Sequence, residues 1–96
     1  MNIVVTCAED QGYKRSVKVH QLQFNEQTQA FNMYYCDYDM WNIELKCPLE
    51  IFPISVAFHA DEIAVQFERH DAAEAFVAWL IEGEKKVQHG FKTMWG

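Results

Sequence analysis

The residues that could do chemistry in this chain are present but scattered. Cys7, Cys36 and Cys47 stand far apart, with no C-x-x-C pair among them. A nucleophilic cysteine needs its thiolate beside a base and an oxyanion donor. Cys36 is instead followed by Asp37, whose carboxylate opposes thiolate formation. Cys7 lies in an apolar run and reads as core, and Cys47 precedes Pro48 at a strand end. His20, His59, His70 and His89 show no paired spacing, whereas a structural zinc site needs four converging ligands. Asp37 and Asp39 share a short loop but are too few ligands for calcium. His59, Asp61 and Glu62 cluster at one turn, and Glu68, Arg69, His70 and Asp71 cluster at another. Either set could supply an acid–base pair, but turns commonly carry charge for solvation alone. Gly12, Gly83, Gly90 and Gly96 stand apart, so no phosphate-cradling loop exists. These residues predict no catalytic group, no metal, no cofactor and a non-enzymatic protein.

The densest unusual run is Tyr34-Tyr35-Cys36-Asp37-Tyr38-Asp39-Met40-Trp41. Alternation assigns Tyr35 and Trp41 to a core face. Tyr34, Asp37, Tyr38, Asp39 and Met40 are left over at a hairpin tip. Large aromatic anchors beside carboxylates have the composition of a protein-binding hot spot selective for a basic partner. Tyrosines are also ordinary strand residues and Asp an ordinary turn former, so the tip has a plain structural reading as well.

These residues must be positioned by the elements around them. Asp71-x-x-Glu74 has the form of a capping box opening a helix over about 71–88. Ala72, Ala73, Phe76, Trp79, Leu80, Gly83 and Val87 fall on one arc at helical spacing. Glu82 and Lys86 are placed to pair across one turn. Val77 and Ile81 lie just beyond the arc. A wide core absorbs them; otherwise they form a small exposed row that a partner could cover. Gly90 is a stop candidate. The tail 89–96 carries Phe91, Met94 and Trp95, either docked on the sheet or free as anchors for a partner.

Upstream, alternation predicts strands over about 2–7, 13–24, 29–36, 40–46, 54–58 and 62–68. In the second of these, Val17 and Val19 have one parity and Leu22 and Phe24 the other, which predicts a β-bulge near His20 or Gln21. Glu9–Gly12 and Asn25–Thr28 are turns, and Pro48 to Pro53 is an irregular or edge crossing. The expected fold is α+β: an antiparallel meander of five to six strands, with one C-terminal amphipathic helix packed on one face.

The chain has 96 residues, enough for one domain, and half of them are apolar, so a core is attainable. No apolar run reaches the ~18–20 residues of a membrane span, and the first residues lack a signal-peptide pattern, which predicts a cytoplasmic protein. The net charge of −6 disfavours direct nucleic-acid binding, whose affinity comes from basic patches. It suits attraction to a basic protein surface.

The sequence therefore predicts a small acidic protein-binding module that occupies a surface of a larger partner, in the manner of a phage or mobile-element inhibitor or an immunity-type protein. Its contact residues would be Tyr34, Asp37, Tyr38, Asp39, Met40, Val77, Ile81 and Trp95. Alternatives are an assembly subunit that homodimerises through the sheet face, an edge strand or the aromatic tail, and a small-molecule-binding domain with a pocket near Trp79 and Trp41.

Overall fold

A computed structural model of the chain describes the backbone of residues 1–36, 42–46 and 53–95, and the side chains of 1–33 and 53–86. The elements are β1 (Asn2–Cys7), β2 (Lys14–Lys18), β3 (Leu22–Asn25), β4 (Ala30–Cys36), β5 (Asn42–Lys46), β6 (Ser55–His59), β7 (Glu62–Phe67) and α1 (His70–Trp95). The fold is α+β, but it is not a single antiparallel meander. One sheet has the order β2-β1-β7-β6 and a second has β3-β4-β5. The four-stranded sheet is mixed. β1 runs parallel to β7, with Asn2 opposite Glu62 and Cys7 opposite Phe67, while β2 and β6 flank this pair antiparallel.

Side-chain chemistry explains the strand order. β1 and β7 bury every second residue: Ile3, Val5 and Cys7 on one, Ile63, Val65 and Phe67 on the other. β-branched residues with no charge on the buried face suit central strands. β2 is Lys-Arg-Ser-Val-Lys, with only Val17 half-buried, and a strand so charged belongs at an edge.

The expected strand over 13–24 is in fact two strands in different sheets. Val19 N–H donates to the Met1 carbonyl (3.0 Å) and closes the β1–β2 ladder. The chain then crosses at His20 and Gln21 and enters the second sheet at Leu22. The parity change is real, and its cause is this crossing rather than a bulge within one strand. The β3–β4 connection is an Asx turn. The Asn25 Oδ1 accepts the N–H groups of Gln27 (2.9 Å) and Thr28 (3.2 Å), and Gln29 closes the turn with φ of 59°.

The helix also exceeds its expected span. It continues through Gly90 to Trp95, so the backbone of 89–95 is helix rather than a separate tail. Gly83 is buried within it. Ala73, Phe76, Val77 and Leu80 are fully buried, and Trp79 and Ile81 pack against the core. Phe76 is the junction. Its ring lies 4.9 Å from Phe31 on β4, 5.1 Å from Phe67 on β7 and 5.7 Å from Trp79. The core thus forms where the apolar faces of both sheets meet the helix. None of the described helices is long and apolar enough to cross a membrane.

Candidate functional site

Three places on the described surface gather polar or apolar groups beyond what packing requires. The first is the helix entry. Because β1 and β7 are parallel, both deliver their C-terminal ends to the same edge of the sheet. The Ala8 and Glu9 N–H groups extend the ladder by donating to the carbonyls of Phe67 (2.8 Å) and Glu68 (2.9 Å). This brings the Glu9 carboxylate to the start of α1, where its Oε2 accepts the His70 N–H at 2.9 Å. A helix leaves its first N–H groups without internal partners, and a carboxylate there also meets the positive end of the helix dipole.

The capping box expected from Asp71 and Glu74 therefore does not form. The Asp71 Oδ1 accepts the neighbouring Ala72 N–H (2.8 Å), and the long-range cap is Glu9. Glu82 likewise pairs with Lys85 (3.8 Å) and not with Lys86. Around the entry, His70 Nε2 is 3.8 Å from Glu74 Oε1, and the Tyr13 ring meets the His70 ring edge-on at 4.9 Å. The Tyr13 hydroxyl is buried and makes no hydrogen bond of normal geometry. Burial, and then the neighbouring Glu74 carboxylate, push its pKa above the ordinary 10.0. An open groove lined by Ala8, Glu9, Glu68 and Arg69 lies alongside.

The second place is the crossing between sheets. Glu84 lies on the buried side of α1, four residues after Leu80, and is only 9% exposed. One of its oxygens accepts the His20 N–H (3.2 Å) and the other meets the His20 ring Nδ1. A buried carboxylate needs such partners. This one clasps the turn where the chain changes sheets. A groove open to solvent runs past it, lined by Met1, Lys18, Val19, His20 and Glu84.

The third is the β6 edge of the four-stranded sheet. By register, Val56 stands opposite Val65 and Phe58 opposite Ile63, so both point to the core face. The sheet ends here, however, and Phe58 remains 54% and Ile54 55% exposed. The alternation that predicts a strand over 54–58 identifies its face, not how far the cover above it extends. Phe58 touches the core only at its margin, with its ring 6.4 Å from Phe24. Ile54 N–H donates to the Gln66 carbonyl (2.8 Å) although Ser55 is the register partner of Gln66, so two residues oppose one and β6 begins with a bulge.

Of the residues the sequence singled out, Val77 is buried (1% exposed) and cannot offer an exposed row. Ile81 is half-buried against the core. A helix gripped by two sheets buries a wider arc than one lying on a single sheet, and Val77 falls inside that arc. Asp37, Tyr38, Asp39, Met40 and Trp41 lie outside the described residues, as do the side chains of Tyr34 on β4 and Trp95 on α1. Sequence reasoning missed Glu9 as a cap, because its partner is 61 residues away. It could have found Glu84, a charge at a position where helical spacing calls for an apolar residue. Among the described residues, no group of three or more His, Cys, Asp or Glu side chains is placed to hold a metal ion. Comparison of the chain with protein-family models, with curated proteins and with solved structures returned no match.

Proposed function

We propose that this protein is a non-enzymatic protein-binding domain that acts by occupying a surface of a larger partner, and that the β6 edge is part of its contact surface. The observation that carries this reading is the pair Phe58, on the strand at the end of its sheet, and Ile54, at the bulge just before that strand, both large apolar side chains more than half exposed. An edge strand offers unpaired N–H and C=O groups, and exposed apolar residues beside it supply the anchors that strand-adding partners use. The helix-entry and crossing clusters are engaged in holding the fold, which leaves the β6 edge as the described feature with surplus binding capacity. The net charge of −6 favours a basic partner through long-range attraction. Small size and acidity also suit an inhibitor or immunity-type role, and the sequence offers Tyr34, Asp37, Tyr38, Asp39 and Met40 as further contact residues.

The test is affinity capture from host lysate with the tagged chain, at low and moderate salt, run beside Phe58→Lys and beside a triple variant of Asp37, Tyr38 and Asp39. The expected result is one stoichiometric partner that Phe58→Lys fails to retain. A partner held equally by wild type and Phe58→Lys would remove the edge from the binding surface. Retention by both the Phe58→Lys and the tip variants would remove both surfaces.

A further inference from the structure

We infer that the β6 edge accepts a second copy of this chain, pairing antiparallel about a twofold axis at Ala57. This takes from the reading above only that β6 is a contact surface: in the free protein a second copy fills the edge, and a larger partner that docks there displaces that copy. The hydrogen-bond pattern fixes which groups are available. A two-residue turn joins His59 to Glu62, which makes them a hydrogen-bonded pair, and the Ile54–Gln66 bond places Ser55 in the same set. Ser55, Ala57 and His59 therefore spend their N–H and C=O groups on β7. Val56 and Phe58 direct theirs away from the sheet, where no described residue lies in register with them.

Two such strands can satisfy one another in one simple way. Val56 pairs with Phe58 of the second copy, Phe58 with its Val56, and Ala57 faces Ala57 across the axis. That register sets the exposed Phe58 ring beside a valine from the other chain on the same sheet face, within the ~4.5–5.5 Å of a cross-strand pair.

Charge favours a copy of itself as the occupant. From Ile54 to Phe58 the strand carries no charged residue, so self-pairing opposes no like charges. The other edge of the same sheet, β2, carries exposed Lys14, Arg15 and Lys18, the kind of residues that keep an edge from pairing with itself. Among the described residues, the acids nearest β6 in sequence are Asp61, in the turn after it, and Glu62, the register partner of His59 on β7. The chain reverses between His59 and Glu62, so about an axis at Ala57 the two Asp61 residues fall at opposite ends, roughly 20 Å apart along the strands at ~3.3 Å per residue. That is beyond the screening length of about 8 Å at physiological salt. The bulge at Ile54 ends the pairable stretch, so the ladder is short. An interface this small belongs among the weak, transient ones.

The experiment is sedimentation velocity of the full chain over roughly 5–500 μM at low and moderate salt, with amide exchange by NMR at both concentration limits. Expected is a monomer–dimer equilibrium that strengthens with salt, as screening relieves repulsion between two chains of charge −6. Protection of the Val56 and Phe58 amides should rise with concentration, while that of Ser55, Ala57 and His59 stays constant. Phe58→Lys, and separately Val56→Pro, should weaken association about tenfold or more. The Val56 N–H is not used within the sheet, and Phe58→Lys covers the case in which the proline variant fails to fold. A wild type that stays monomeric throughout, or a dimer that Phe58→Lys leaves intact, overturns the inference. If wild type is monomeric but captures another protein through Phe58, the contact surface stands and self-pairing fails. If neither association depends on Phe58, both readings fail.

Discussion

Phe76 should be the costliest side chain to shorten, and its loss should uncouple the two sheets. The ring is fully buried and meets Phe31 on β4, Phe67 on β7 and Trp79 on its own helix. Returning a phenylalanine side chain to water costs about 2–3 kcal/mol. A cavity that stays open by some ~50 Å³ adds about 1 kcal/mol at ~24 cal/mol per Å³. Ring–ring contacts beyond area burial add about 0.5–1.5 kcal/mol. Phe76→Ala should therefore lose about 4 kcal/mol, within the ~3–5 kcal/mol span of such substitutions. A domain of this size has a total of roughly 5–14 kcal/mol at 0.05–0.15 kcal/mol per residue, so the variant loses between a third and nearly all of its stability. Urea unfolding followed by circular dichroism measures this. A double-mutant cycle with Phe31→Leu and Phe76→Leu then isolates the contact between the second sheet and the helix. Coupling of about 0.5–1.5 kcal/mol is expected. A Phe76→Ala loss below about 1.5 kcal/mol, or coupling within the ~0.3–0.5 kcal/mol scatter of independent sites, would refute the claim that Phe76 joins the sheets.

Glu9→Ala should cost about 0.5–2 kcal/mol, the range for losing a helix cap, with faster exchange of the His70 amide by NMR; unchanged exchange would show that Glu9 does not hold that N–H in solution. Tyr13 should titrate above the ordinary 10.0, because burial and the Glu74 carboxylate disfavour phenolate. The unfolded chain then releases this proton first, so the Tyr13 contribution to stability is full below pH 10 and is lost as pH rises from there towards the folded value. Unfolding of Tyr13→Phe should lose this alkaline decline, and an identical decline in both proteins would contradict the assignment. Cys7 is buried and its Sγ donates to the Glu68 carbonyl (3.6 Å). Its alkylation, mapped by mass spectrometry, should require unfolding, and modification in native buffer would place it at the surface instead.

Local chemistry was legible in the sequence to the extent that it was local. Asn25 makes its turn with residues two and three positions on, and Gly12 donates to Asp10 within the first turn, so composition alone located both. The buried residues of β1, β7 and α1 follow from two periodicities. Strand order does not, because alternation says which way a side chain points and nothing about which strand lies alongside. The charge of β2 against the apolar run of β1 was the available clue to edge and centre. The crossing at His20 was visible as a parity conflict, but a parity conflict has two physical solutions, a bulge or a break, and only the tertiary structure selects between them. Exposure of Phe58 escaped for a related reason: it depends on where the second sheet ends, which no pattern within β6 encodes. Glu9 and Glu84 make their bonds across 61 and 64 residues, where spacing rules have no reach.

The parallel pairing of β1 with β7 also sets a timetable for biosynthesis. Asn2 waits for Glu62, sixty positions later in the chain. At about 5–20 residues per second, the strand destined for the centre of the sheet spends roughly 3–12 s beside only β2. An isolated two-stranded hairpin is marginal in water, so Ile3 and Val5 remain without their cover during that interval. Closing so distant a contact carries a loop-closure cost that slows folding. A nascent chain that stalls before Phe67 would present β1 as a bare apolar edge, the kind of unpaired strand that is prone to aggregate.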